Sequence, residues 1–171
     1  WCVENGQSSI HRPEAILGRN ASMRKPNASW YVSFIVQQAA QGGDVLERLL
    51  SKLPVAQPSF LGPASRVRHS SCVWVFLGQH LASRTPMKGR AEHVDAVSNA
   101  GTWHFQLCGS KVWHLRPNSE GEWPLGPDSS PQVGTADGRL HIEVKAGEML
   151  LVNTRLWFHE TAIPTTEDAT H

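Results

Sequence analysis

From residue 73 onward the chain is written in short apolar runs of strand length, each closed by glycine, proline or a charged turn. That rhythm favours antiparallel sheet over helix. Residues 73–77 (VWVFL) read as a buried strand. Residues 103–107 alternate, with Trp103, Phe105 and Leu107 on one face and His104 and Gln106 on the other. Gly109-Ser110 makes a tight turn into a strand over 111–115. Strands at 142–144 and 149–152 flank Lys145-Ala146-Gly147-Glu148, and a last one over 156–163 is closed by Pro164. Residues 117–139, rich in Pro, Gly, Ser and Asp, read as a loop long enough to be an insertion or lid.

Upstream, residues 30–36 (WYVSFIV) form another strand. Asp44 opens a helix, with Glu47 three residues later as an approximate capping box. Val45, Leu46, Leu49, Leu50 and Leu53 recur at helical spacing, and Pro54 ends it. Residues 1–29 are a polar, surface-hugging lead-in, and 30–171 form one domain. No repeat of fixed period is present. One helix followed by many short strands predicts a mainly β barrel or sandwich with an N-terminal helical edge.

Composition narrows the function classes. With Lys+Arg 16 against Asp+Glu 15, the chain lacks the basic excess of proteins that live on phosphate backbones, so nucleic acid is a disfavoured partner. No apolar run approaches the ~20 residues of a helical membrane span, so no membrane role is expected. Cys2, Cys72 and Cys108 lack CxxC spacing, which argues against a disulfide scaffold or zinc knuckle. With no export-signal pattern, an intracellular protein is favoured.

The chain has 9 histidines, and their placement matters more than their number. His93-Val94-Asp95 puts two metal-capable side chains at i and i+2, on one face of a strand. A third ligand must come from a distant strand, and His159 in LWFHET is the best candidate. Two His and one carboxylate leave open positions on a metal, as in non-haem Fe(II) oxygenases. Zinc with three protein ligands and a water fits the same composition. The bland alternative is a surface His93–Asp95 pair with His159 as a core histidine bonded to backbone.

Two longer segments carry a resemblance. The stretch EHVD at 92–95, followed by GTWHFQLCGSKVWHLRP at 101–117, looks like the core of the JmjC/cupin-like 2-oxoglutarate oxygenases. The stretch AGEMLLVNTRLWFH at 146–159 resembles that family's second-histidine segment. The similarity covers about residues 73–164. Trp30-Tyr31-Val32 and the helix after it look like the segment that precedes the barrel in the protein hydroxylase branch.

The resemblance implies a double-stranded β-helix, a jelly-roll barrel. Only residues 160–171 follow His159, where the family barrel carries a further strand, so it also implies a barrel truncated at its C-terminal edge. His93, Asp95 and His159 would hold Fe(II). Lys111 would pair with the distal carboxylate of the co-substrate 2-oxoglutarate, with Tyr31, the only tyrosine, as the accompanying hydroxyl. Asn99 would contact co-substrate or metal-bound water. Arg90 stands where the family often has Thr or Ser, and is either a second cation or solvent-facing. Asn153 stands where Pro is common. The implied activity is hydroxylation of a protein or peptide side chain by dioxygen, with succinate and CO2 as co-products. The alternatives are N-methyl-lysine demethylation and a catalytically silent binding module. Those same residues carry quieter readings: Lys111 a solvated hairpin lysine, Tyr31 a core aromatic, His104 a hydrogen-bonded barrel histidine.

Overall fold

The computed structural model describes residues 2–4, 7–9, 29–37, 45–52, 72–81, 85–97, 101–124, 126 and 130–165. The protein is mainly β, with antiparallel sheets and one short helix among the described residues. Among them no helix is long and apolar enough to cross a membrane. The chain divides into two compact units, Trp1–Gln79 and His80–His171.

The first unit is a four-stranded sheet in the order β2-β1-β3-β4. Its strands are β1 (Cys2–Glu4), β2 (Gln7–Ser9), β3 (Trp30–Gln37) and β4 (Cys72–Gln79). The 1–29 lead-in therefore contributes strands: β1 pairs with β2 and with β3. The polar composition of β2 (QSS) hides it from a hydrophobicity reading. β3 and β4 pair along their full length, from Trp30↔Gln79 to Gln37↔Cys72. Aromatic and β-branched residues suit such a pleated surface. Val32 packs with Trp30 and Phe34 on one face, while Tyr31 is buried on the other. The 73–77 run is not buried throughout, because Trp74 and Leu77 are exposed on β4, the last strand of its sheet.

The helix α1 (Val45–Leu50) is shorter than its apolar spacing implies. The N–H of Ser51 still reaches the carbonyl of Glu47, but that of Lys52 bonds Leu49. This tightening to an i→i−3 turn unwinds the helix before Leu53. Asp44, Leu53 and Pro54 lie outside the described residues.

The second unit holds two antiparallel sheets. The larger has the order β5-β10-β7-β8: β5 (Met87–Lys88), β10 (Trp157–Ile163), β7 (Ser110–Pro117) and β8 (Leu140–Lys145). The smaller pairs β6 (Thr102–Phe105) with β9 (Met149–Val152). Trp113, Leu115 and Val144 of the larger sheet and Val152 of the smaller form one buried cluster, with Ile142, Leu150 and Trp157 packed against it. Alternation fixes which β7 side chains enter it: Lys111, Trp113 and Leu115 are buried in turn. The described part of 117–139 beyond β7 carries no strand or helix.

One face assignment fails. Leu107 does not continue the Trp103–Phe105 face, since β6 stops at Phe105 and Leu107 is exposed. The Gln106 N–H donates to the Glu148 carbonyl, and the Gln106 carbonyl accepts from Gly147. Those bonds turn the chain toward Gly109, whose φ of 65° is a left-handed conformation that favours glycine.

Candidate metal centre

The triad is assembled by backbone pairing. His93 and His159 form an isolated antiparallel bridge, in which the N–H of each donates to the carbonyl of the other at 3.1 and 2.8 Å. The Asp95 N–H donates to the carbonyl of Thr154 at 2.9 Å. The pairing Ala162↔Lys88 would set Ala91 opposite His159, yet His93 stands there. Two extra residues therefore bulge out between β5 and the bridge, a device that re-aims side chains beside sites. The bulge is tied down through Glu92, which accepts from Arg116 at 2.7 and 2.9 Å and meets Arg139 at 2.9 Å. The hydrogen bond from Arg116 outweighs burial and holds the Glu92 carboxyl below its usual range.

The ligand atoms of His93, Asp95 and His159 all lie within 4.8 Å of one another. Nε2 of His93 is 3.4 Å from one Asp95 oxygen, and Nε2 of His159 is 3.8 Å from the other. Nδ1 of His93 lies 2.7 Å from the carbonyl of Ala91, and Nδ1 of His159 lies 3.2 Å from that of Trp157. A carbonyl only accepts, so each Nδ1 carries the proton and donates it there. A ring that is neutral in this tautomer presents its Nε2 lone pair toward the carboxylate. Burial and the neighbouring His93 push the His159 pKa down, against the Trp157 carbonyl and Asp95, which favours the neutral ring. Three lone-pair donors at one point repel unless a cation or shared proton sits among them. Carbonyls that fix the tautomer of two imidazoles are the outer contacts expected around a bound metal. The residues present therefore fit a divalent transition ion.

The inward face of β7 extends the site. The Trp113 ring stacks on His159 at 5.7 Å and meets His104 edge-on at 5.4 Å. Its indole N–H is buried with no acceptor, an omission that costs about 1–3 kcal/mol in a closed interior. Lys111 lies two residues along the same face and is only 5% exposed. Burial pulls its pKa down to about 8. His104 of β6 shares a hydrogen bond with Gln106 at 2.8 Å, and burial takes its pKa down to about 4, so it is neutral at physiological pH.

The structure thus brings together His93, Asp95 and His159 and sets Lys111 on the same lined face. Lys111 is not a solvated hairpin residue. Tyr31 is buried on β3 of the first unit, 6.4 Å from the Phe76 ring. Asn99 lies outside the described residues. Arg90 is half-exposed, with its guanidinium 3.9 Å from Asp95. Sequence reasoning missed Trp113, although its i+2 spacing from Lys111 put both on one face. It also missed the Ala91 and Trp157 carbonyls, which no side-chain pattern reveals.

Comparison of the chain with protein-family models, with curated proteins and with solved structures gives no match.

Proposed function

We propose that the second unit is a double-stranded β-helix holding an Fe(II)- and 2-oxoglutarate-dependent dioxygenase site that hydroxylates a protein or peptide side chain. One observation carries the reading: two imidazoles whose Nδ1 atoms are held by backbone carbonyls, and one carboxylate, gather their ligand atoms within 4.8 Å of one another. Strand order supports the barrel. β5, β7, β8 and β10 belong to one sheet, β6 and β9 to the other, and the two share a core. A chain that crosses to a second sheet at β6 and again at β9, each time returning to the first, is compatible with jelly-roll logic.

An iron(II) ion in such a site supplies oxidative chemistry, coupling decarboxylation of 2-oxoglutarate to succinate and CO2 with insertion of oxygen into a substrate C–H bond. The residues of the chain do the rest. His93, Asp95 and His159 fix the ion, with Asp95 providing the negative charge. Lys111 takes up the distal carboxylate of the co-substrate, whose charge restores the proton that burial disfavours. The Trp113 indole offers a donor to an oxygen passing along the β7 face. His104, neutral, walls the site without adding a competing cation. The aromatic surfaces of Trp113 and His104 keep water out, which strengthens each of these contacts.

The decisive test is iron-dependent conversion of 2-oxoglutarate to succinate by the full chain with a peptide library. Formaldehyde release would move the reading to demethylation. No succinate from the iron-loaded chain, with or without peptides, would sink the enzyme reading and leave a binding module.

A further inference from the structure

The outer face of the same sheet carries a second cluster. Side chains alternate across a strand, so where β7 turns Trp113 inward it turns His114 outward. His114 stands directly opposite His141 of β8. Their Nδ1 atoms are 2.7 Å apart, and the rings meet edge to face at 4.8 Å. Nε2 of His141 lies 2.8 Å from one oxygen of Asp137, whose other oxygen accepts the Arg139 N–H. The turn that leads into β8 therefore fixes this carboxylate by its own backbone.

Proton placement follows from those partners. An ionised carboxylate only accepts, so His141 carries its proton on Nε2 and leaves Nδ1 as a lone pair aimed at His114. That lone pair accepts the Nδ1–H of His114. Moving the His114 proton from Nδ1 to Nε2 is an ordinary tautomer change. It leaves two imidazole lone pairs converging on one point, one of them oriented by a carboxylate, as metal-bound histidines commonly are.

We propose that His114 and His141 form a second metal site, for a borderline divalent transition cation such as Zn(II), Ni(II) or Cu(II), with Asp137 as the positioning residue for His141. The ligand type selects the ion, since imidazole nitrogen suits these metals and not Mg(II) or Ca(II), which demand oxygen. Metal–nitrogen bonds of about 2.0–2.1 Å place two adjacent nitrogens about 3.0–3.4 Å apart. The pair opens by only a few tenths of an ångström to reach that span. The His141 and Asp137 side chains are 45% and 49% exposed, so an ion has access and water can complete its shell. On the other side of His114 stands Glu160, its cross-strand neighbour, which shares Arg139 with Glu92. His159 and Glu160, adjacent on β10, point to opposite faces of this sheet, His159 toward the triad and Glu160 toward His114.

The test is zinc stoichiometry by calorimetry on the full chain, stripped with chelator beforehand. Two equivalents per chain are expected, falling to one in His141→Gln and, separately, in His114→Gln. Both substitutions are on an outward face and leave the core untouched. Asp137→Ala should weaken the second equivalent by 10- to 100-fold without removing the first. Cu(II) bound in a His93→Ala/His159→Ala chain should show hyperfine splitting from two nitrogens. The proposal is overturned by two equivalents persisting in His141→Gln, or by a single equivalent that disappears with His159→Ala. A single equivalent lost in His141→Gln and indifferent to His159→Ala would support this site while removing the inner one.

Discussion

A buried cation and a knot of lone pairs are both costly in the ligand-free protein, and each cost makes a measurable signature. At the triad, a cation replaces repulsion among His93, Asp95 and His159 with attraction. An ion that binds only the folded chain at 100 times its Kd adds about 2.7 kcal/mol. For the second unit, His80–His171, melting on its own, that corresponds to a rise in Tm of about 10–20 °C. We predict such a shift with Mn(II), reversed by chelator and lost in Asp95→Ala. Differential scanning fluorimetry checks it, and an undiminished shift in the variant would remove Asp95 from the ligand set. Lys111 makes the opposite kind of signature. Its pKa is about 8 in the folded chain against 10.5 for an ordinary lysine. Between those values the unfolded chain holds a proton that the folded chain has given up, so stability rises with pH across that window. Below pH 8 the folded protein bears the full cost, about 3 kcal/mol. Lys111→Met should therefore stabilise the dicarboxylate-free protein at pH 7 by up to that amount and flatten its rise toward pH 10.5. Urea titrations at pH 7 and 10 decide it, and an unchanged slope would refute the burial cost. The same variant should raise the 2-oxoglutarate requirement more than tenfold, since a buried charge-assisted pair is worth over ~1.5 kcal/mol. The candidate ligands were legible from their residue types and spacing, but the strand expected over His93–Asp95 does not form: a single bridge at His93 and the Asp95–Thr154 backbone bond hold the pair instead. The carbonyls that set their tautomers were not legible, because any residue type supplies a carbonyl.

Elements position these residues through a few backbone contacts with no slack. Gly101 precedes β6 and lies against β9. A Cβ there would come within 2.9 Å of the Val152 carbonyl oxygen and 3.5 Å of the Asn153 Cα. Both are backbone atoms with no rotamer to yield. Gly101→Ala should cost about 1–3 kcal/mol, the usual range for overpacking. It should shift the urea midpoint at constant m. Gly134, with open space around its Cβ position, is the matched control for Gly→Ala. Equal effects at the two positions would show that chain entropy, not the β6–β9 contact, sets the cost. At this scale the sequence marked every strand of the second unit except β5, a two-residue segment too short for any periodicity. It placed β10 within a residue, because LWFHETAI ends at a proline. The two-residue bulge before His93 left no sequence signal. A bulge is a difference in register between two strands, and register is a property of the pair.

The whole molecule places the triad, its orienting carbonyls, Trp113 and Lys111 within His80–His171. That boundary was not legible: the sequence reading drew its line at residue 29, where polarity changes. The contacts instead divide after β4, because β1, β2, β3 and β4 complete one sheet among themselves. Cooperative units of a protein open with their own free energies, and a ligand stabilises the unit that contains its ligands. Mn(II) should therefore slow amide exchange across residues 89–95, 110–117 and 154–163, where metal contacts and paired backbone coincide. Exchange across β3 and β4 should stay unchanged. Hydrogen exchange read by mass spectrometry, with His159→Ala as the unliganded reference, measures both sets in one experiment. Equal slowing in β3 and β4 would mean that the two units unfold as one, and the midpoint shift predicted for the triad would then report on the whole chain instead of the second unit.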